Sequence, residues 1–218
     1  MKKQQAGFTL IELAIVLVII GLLLGGVLKG QELINSAKVR NMVADFQNAQ
    51  IYLYGYQGKF KALPGDDAQV ANHVTLATLA TTPVAAAGIA RGDFAINGAW
   101  NSTTVTDESY LFWQHVRLAG LAPGPTLAAA VNYVPRNADG GVVGIQSGVV
   151  IVGMTGSFSV CSGNILGRLV RQIDVAMDDG DTGTGSVQAV LAAAAAAGAT
   201  VPSANLNDAT LYNVCMTF

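Results

Sequence analysis

Several groups of residues in this chain have the types and spacing to do chemistry. The first is a lone acid, Glu12, inside an apolar run over residues 8–28. A carboxylate near the start of a helix of bilayer length costs a few kcal/mol unless it finds a partner, which a passive anchor has no use for; the bland alternative is a tolerated acid that snorkels to the interface. The second is Asp174, Asp178, Asp179 and Asp181, the densest set of hard oxygen ligands. Calcium takes such oxygens on a flexible turn. The spacing does not follow an EF-hand loop, and a helix terminus followed by a solvated Asp-Gly turn explains the same residues. The third is Cys161 and Cys215, the only 2 cysteines. They read as separate buried thiols in a reducing compartment and as a disulfide in an exported domain. The histidines, His73 and His115, have no second histidine or cysteine at ligand spacing, which argues against zinc. His115 reads as packed beside Trp113 on its helix, or exposed. No G-x-S-x-G, H-E-x-x-H or phosphate-loop pattern occurs, and no enzymatic activity or resident cofactor is expected.

These groups need elements to hold them. The chain has 218 residues, enough for an N-terminal helix and one globular domain. Its net charge of −2 gives no electrostatic footprint for nucleic acid. No second window approaches ~18 apolar residues. As a helix, residues 8–28 would span ~30 Å, about the hydrocarbon thickness of a bilayer. A cleavable secretory signal has an apolar core of ~7–15 residues and a small-x-small cleavage site. This run is longer, carries Glu12 and leads into Val27-Leu28-Lys29-Gly30. A plain signal anchor accounts for the length but not for Glu12, nor for the glycine before Phe8. Lys2 and Lys3 precede the run and Lys29, Lys38 and Arg40 follow it, so the positive-inside bias is weak. Gly21, Gly25, Gly26 and Gly30 form overlapping small-xxx-small pairs, which let helices approach closely; glycine is also simply commoner in membrane helices.

Beyond the run, Val39, Met42, Val43, Phe46, Ala49, Leu53 and Tyr56 recur at three- and four-residue steps, with polar residues between. That predicts an amphipathic helix packed on a domain. Gly55 and Gly58 weaken it near Tyr56, and Leu63-Pro64-Gly65-Asp66 ends it in a turn. Residues 59–106 read as loops with one or two short helices. Thr106-Asp107-Glu108 predicts a helix start, with Phe112 and Trp113 anchoring that helix in the core. Valine-rich stretches at 142–145, 148–154 and 157–160 predict short antiparallel strands. Ser162 is expected to cap a helix running to about Met177. Further strands are expected near 186–191 and over Leu211–Thr217. The alanine tract 192–197 has no assigned role. The fold class is α+β: a long N-terminal helix packed on a small antiparallel sheet.

The stretch Gly7-Phe8-Thr9-Leu10-Ile11-Glu12-Leu13 resembles the class III signal of type IV pilins and type II secretion pseudopilins. Leu63-Pro64-Gly65-Asp66-Asp67, the Phe112-Trp113-Gln114-His115 helix and Ile173-Asp174-Val175-Ala176-Met177-Asp178-Asp179-Gly180 also resemble segments of that group. The proline that many type IV pilins carry about three turns after the acid is absent. The resemblance implies a pilin-like domain plan: a cleaved cytoplasmic leader at 1–7, a membrane and filament-core half-helix at 8–30, an amphipathic half at 31–58 and a globular domain at 59–218. It implies a prepilin peptidase that cuts between Gly7 and Phe8 and methylates the new amine of Phe8. It also implies a Glu12 carboxylate paired with the Phe8 ammonium of a neighbouring subunit in a helical homo-oligomer. The chain would sit as a single-pass protein of the inner membrane until an assembly machinery draws it into an extracellular or periplasmic filament. Export favours a Cys161–Cys215 disulfide, which stabilises by about 4 kcal/mol in the chain-entropy model. Some pseudopilins fix a C-terminal loop with calcium, which makes Asp174, Asp178, Asp179 and Asp181 the candidate ligands. The expected function is a structural subunit of a type IV pilus or pseudopilus. The alternatives are a minor, tip-located adhesin or assembly initiator and, more remotely, a membrane-anchored periplasmic enzyme.

Overall fold

A computed structural model describes residues 9–74, 76–83, 91–193 and 198–218. The chain divides into two compact units, Met1–Lys38 and Val39–Phe218. Helix α1, Leu10–Phe60, continues through Gly21, Gly25, Gly26 and Gly30, although each glycine costs ~1 kcal/mol in a helix interior. In the first unit its large apolar side chains are all exposed, from Ile20 at 46% to Leu10 at 86%. An 18-residue window there has mean hydropathy 2.8 and no buried residue. By length and composition it is able to cross a membrane.

In the second unit α1 turns a stripe inward: Val39, Met42, Phe46, Ala49, Leu53 and Tyr56 are buried. Val43, from the same pattern, is partly buried against that core. After α1 come α2 (Val70–His73), a 3-10 turn (Ala77–Leu79), α3 (Glu108–Leu118), β1 (Val143–Ser147), β2 (Phe158–Leu166), α4 (Gly167–Met177), β3 (Val187–Leu191), a second 3-10 turn (Ser203–Asn205) and β4 (Leu211–Thr217). The strands form one sheet in the order β1-β2-β4-β3, antiparallel throughout. Side chains alternate across it. Val160, Val214 and Met216 join the core made with α1, α3 and α4. Cys161, Cys215 and Val190 face the other way, where Trp100, Val150, Ile151 and Met154 cover them. Helix α3 is buried along its whole length, polar residues included.

The elements depart from the sequence expectations in three places. Helix α1 passes Gly55 and Gly58 and ends at Phe60, because Tyr56 and its neighbours gain a packed core. Residues 148–154 are turns and bends instead of a strand. Gly148 and Gly153 there take left-handed conformations, φ +74° and +96°, and between them Val150 and Ile151 cover the outer sheet face instead of joining a ladder, while Val149 and Val152 stay exposed. Ser162 does not cap a helix. Strand β2 continues past it to Leu166, and its hydroxyl accepts a hydrogen bond from Asn137 Nδ2 at 2.8 Å. Helix α4 starts at Gly167 without a side-chain cap. Part of the 72–90 stretch, most of the 192–197 alanine tract and the Gly7–Phe8 pair lie outside the described residues.

Candidate functional site

The beginning of α1 has a specific local chemistry. Glu12 Oε2 accepts hydrogen bonds from the Thr9 backbone N–H and the Thr9 hydroxyl, each at 2.8 Å. In return, the Glu12 N–H donates to Thr9 Oγ1 at 3.3 Å. This is a capping box: an N-cap threonine and the acid three residues on satisfy each other's orphan groups at the helix start. Thr9 is therefore a functional neighbour that the sequence reading missed, although Thr9-Leu10-Ile11-Glu12 displays the signature openly. The bonds leave Glu12 exposed, so its charge remains accessible. A side-chain carbon built on Gly21, Gly25, Gly26 or Gly30 would meet nothing within 4 Å. No contact inside the described chain needs those glycines. Lys29 and Glu32 pair at 2.6 Å on the exposed surface, a contact of little energetic weight.

Within the second unit, the Leu63-Pro64-Gly65-Asp66-Asp67 turn binds several segments together. Gly65, at φ +95°, donates its N–H to His115 Nδ1 at 2.9 Å. A Cβ there would come within 2.3 Å of the Glu108 carbonyl oxygen, so only glycine fits. Because His115 Nδ1 accepts, its Nε2 carries the proton and donates to the Thr81 carbonyl at 2.9 Å. Burial pulls the imidazole down to about 4 and keeps it neutral. His115 is thus an interior strut, fully buried. Asp66 accepts the backbone N–H groups of Gly92, Asp93 and Phe94. Asp67 accepts the Tyr56 hydroxyl at 2.7 Å, lies 2.7 Å from His73 Nδ1, and also takes the Gln69 N–H.

The aspartates near the end of α4 separate. Oxygens of Asp174, Asp178 and Asp179 lie within 4.8 Å of one another. Asp181 is not among them; its Oδ1 accepts the Gly183 and Ser203 N–H groups instead. Asp178 accepts the Val187 N–H at 2.8 Å, and Asp179 accepts the Asp181 N–H and the Thr184 hydroxyl. Burial first, then the Asp179 and Asp178 charges, push the Asp174 carboxyl up to about 6. Cys161 and Cys215 face each other across β2 and β4 and are joined as a disulfide. It ties the last strand to the centre of the sheet.

Residues 2–28 match the family model of the prokaryotic N-terminal methylation motif. That motif is the class III signal of type IV pilins and pseudopilins. No curated protein and no solved structure matches the chain. The motif covers the acid, the capping threonine and the exposed apolar helix, and stops short of the buried stripe.

Proposed function

We propose that this chain, a type IV pilin-like prepilin by its N-terminal motif, is a structural subunit of a type IV pilus or pseudopilus filament. What carries the reading is one coincidence. The matched motif falls on a helical segment whose large apolar side chains are all exposed and whose one acid is Glu12. Such a surface does not stay in water. It needs a bilayer first and copies of itself afterwards. Cleavage between Gly7 and Phe8, with methylation of the new amine, would place a cation four residues before Glu12. In a bundle of these helices, Glu12 pairs with the Phe8 amine of a neighbour and sets the register of otherwise slippery surfaces. Prepilin peptidase, the inner membrane and an assembly machinery are the partners of this scheme, and the product is an extracellular or periplasmic fibre. The role is structural rather than catalytic.

Sheared surface fibres, viewed by electron microscopy with mass spectrometry of their main component, test this. The expected result is a fibre built of this chain beginning at methylated Phe8. A few copies per fibre would assign it to the tip as an adhesin or initiator, and a mature chain that still begins at Met1 would end the filament reading. Glu12→Ala should leave cleavage intact and lower fibre yield about tenfold or more, since a charge stranded among apolar helices is strongly destabilising. Normal yield from that variant would remove Glu12 from the register role.

A further inference from the structure

A second acidic cluster lies far from the N-terminal motif in sequence. Oxygens of Asp66, Asp93 and Glu108 come within 4.8 Å of one another. They arrive from separate places: Asp66 from the turn after α1, Asp93 from the loop before Asn97, and Glu108 from the first turn of α3. Like charges at this spacing repel, and two of the three are out of water: Asp66 is 2% exposed and Glu108 is 4% exposed. Such a grouping needs hydrogen-bond donors, protons or a cation to offset its charge.

Part of the charge is met by the backbone. The Gly92, Asp93 and Phe94 N–H groups point at the Asp66 carboxylate. Glu108 Oε2 accepts both the backbone N–H and the side-chain amide of Asn97, at 2.8 and 2.9 Å. Glu108 Oε1 is buried and meets no protein donor among the described residues. A carboxylate turned into a meeting point of acids, with one oxygen unclaimed, has the donor set of a hard cation site. Burial pushes both carboxyls upward, Asp66 and Glu108 alike, against the lowering effect of their N–H donors.

We propose that Asp66, Asp93 and Glu108 bind a divalent cation of the calcium or magnesium class. All the ligands are oxygens, which excludes the soft-metal chemistries. Asp93 is exposed, so the ion has an entry side and room for water ligands. The bound ion would clamp the turn after α1 to α3 and to the 91–97 loop. That is a role for the Pro64-Gly65-Asp66 turn independent of the filament reading.

The full chain, purified in detergent micelles and stripped with chelator, is titrated with CaCl2 and separately with MgCl2 by calorimetry; its melting temperature is followed by near-ultraviolet circular dichroism. The expected result is saturable binding of at least one of the two ions and a raised melting temperature. Asp93→Asn, at an exposed position that leaves the core intact, and Glu108→Gln should each weaken binding about tenfold or more, while Asp179→Asn should not. Binding that survives Asp93→Asn and disappears with Asp179→Asn would move the ion to the α4 cluster and overturn the proposal. Failure of both ions to bind the wild-type chain would overturn it too, leaving a shared proton between Glu108 and Asp66 as the neutralising group. None of these outcomes depends on whether the chain forms fibres.

Discussion

The two halves of α1 share one backbone conformation and differ in what their side chains meet. Over the first half, Leu17, Leu22 and Leu28 are 70, 73 and 68% exposed. Over the second, Met42, Phe46 and Leu53 are 0% exposed. The first half is apolar on all faces; the second is apolar on one stripe only. A helix apolar all round has no face to give to water and must be covered by lipid or by other copies, whereas a striped helix is finished by its own domain. The difference separates two kinds of stability within one element. The second half stabilises the fold of the monomer. The first leaves its apolar surface exposed, and under the proposed filament role that surface is the part a bilayer and neighbouring copies would cover.

The largest expected effect that tests this contrast is a pair of truncations. Phe46→Ala should cost the folded domain about 3–5 kcal/mol by opening a cavity. Leu17→Ala should leave the denaturation midpoint within about 0.5 kcal/mol and lower fibre yield instead. Chemical denaturation of the full chain in micelles reads the first, and fibre counting the second. Equal loss of monomer stability from both would erase the distinction.

A smaller effect concerns the interior alone. His115 titrates at about 4, below the ordinary 6.5, because burial disfavours its charged form. Between these values the unfolded chain holds the extra proton. Stability is therefore full above pH 6.5 and falls as pH drops towards 4, by about 3 kcal/mol from this group. Asp45 and Asp174, pushed up to about 6 mainly by burial, act with the opposite sign, losing their contribution as pH rises through 6. Nuclear magnetic resonance should find the His115 ring protonated at Nε2 at neutral pH, with a midpoint near 4. A midpoint near 6.5 would mean that the strut is not buried.

The smallest effect returns to the exposed half. Thr9→Val keeps the shape of the side chain and removes the hydroxyl from the capping box. One lost N-cap of ~1 kcal/mol should speed amide exchange in the first turn of α1 about fivefold, with no change in the second unit. Unchanged exchange would show that Glu12 holds the helix start through the backbone bond alone.

Sequence periodicity made α1 legible, including the residues of its buried stripe, because a 3.6-residue repeat is a local property. Strand β4 and the start of α3 were legible for similar reasons of composition and flanking turns. The 148–154 stretch was not. Its valines look like a strand, and whether a valine-rich run pairs or covers depends on which ladder positions are already taken. Ser162 failed likewise, since a serine before an apolar run reads as a cap unless a partner strand claims its backbone. The N-terminal site shows both sides. Glu12 is legible as an acid in an apolar run, whereas the reciprocal bonds that tie Thr9 to it are a matter of geometry at the helix start.

The N-terminal helix, its lone acid and its two chemical halves follow from the order of residues alone, because hydropathy and spacing act within a few residues. Which acids meet is a matter of packing. Asp66, Asp93 and Glu108 are separated by loops of no clear pattern, and Asp181 leaves a group to which its sequence position seemed to assign it. Contacts of this kind are set by how turns close and what they enclose. Chain spacing carries no record of that.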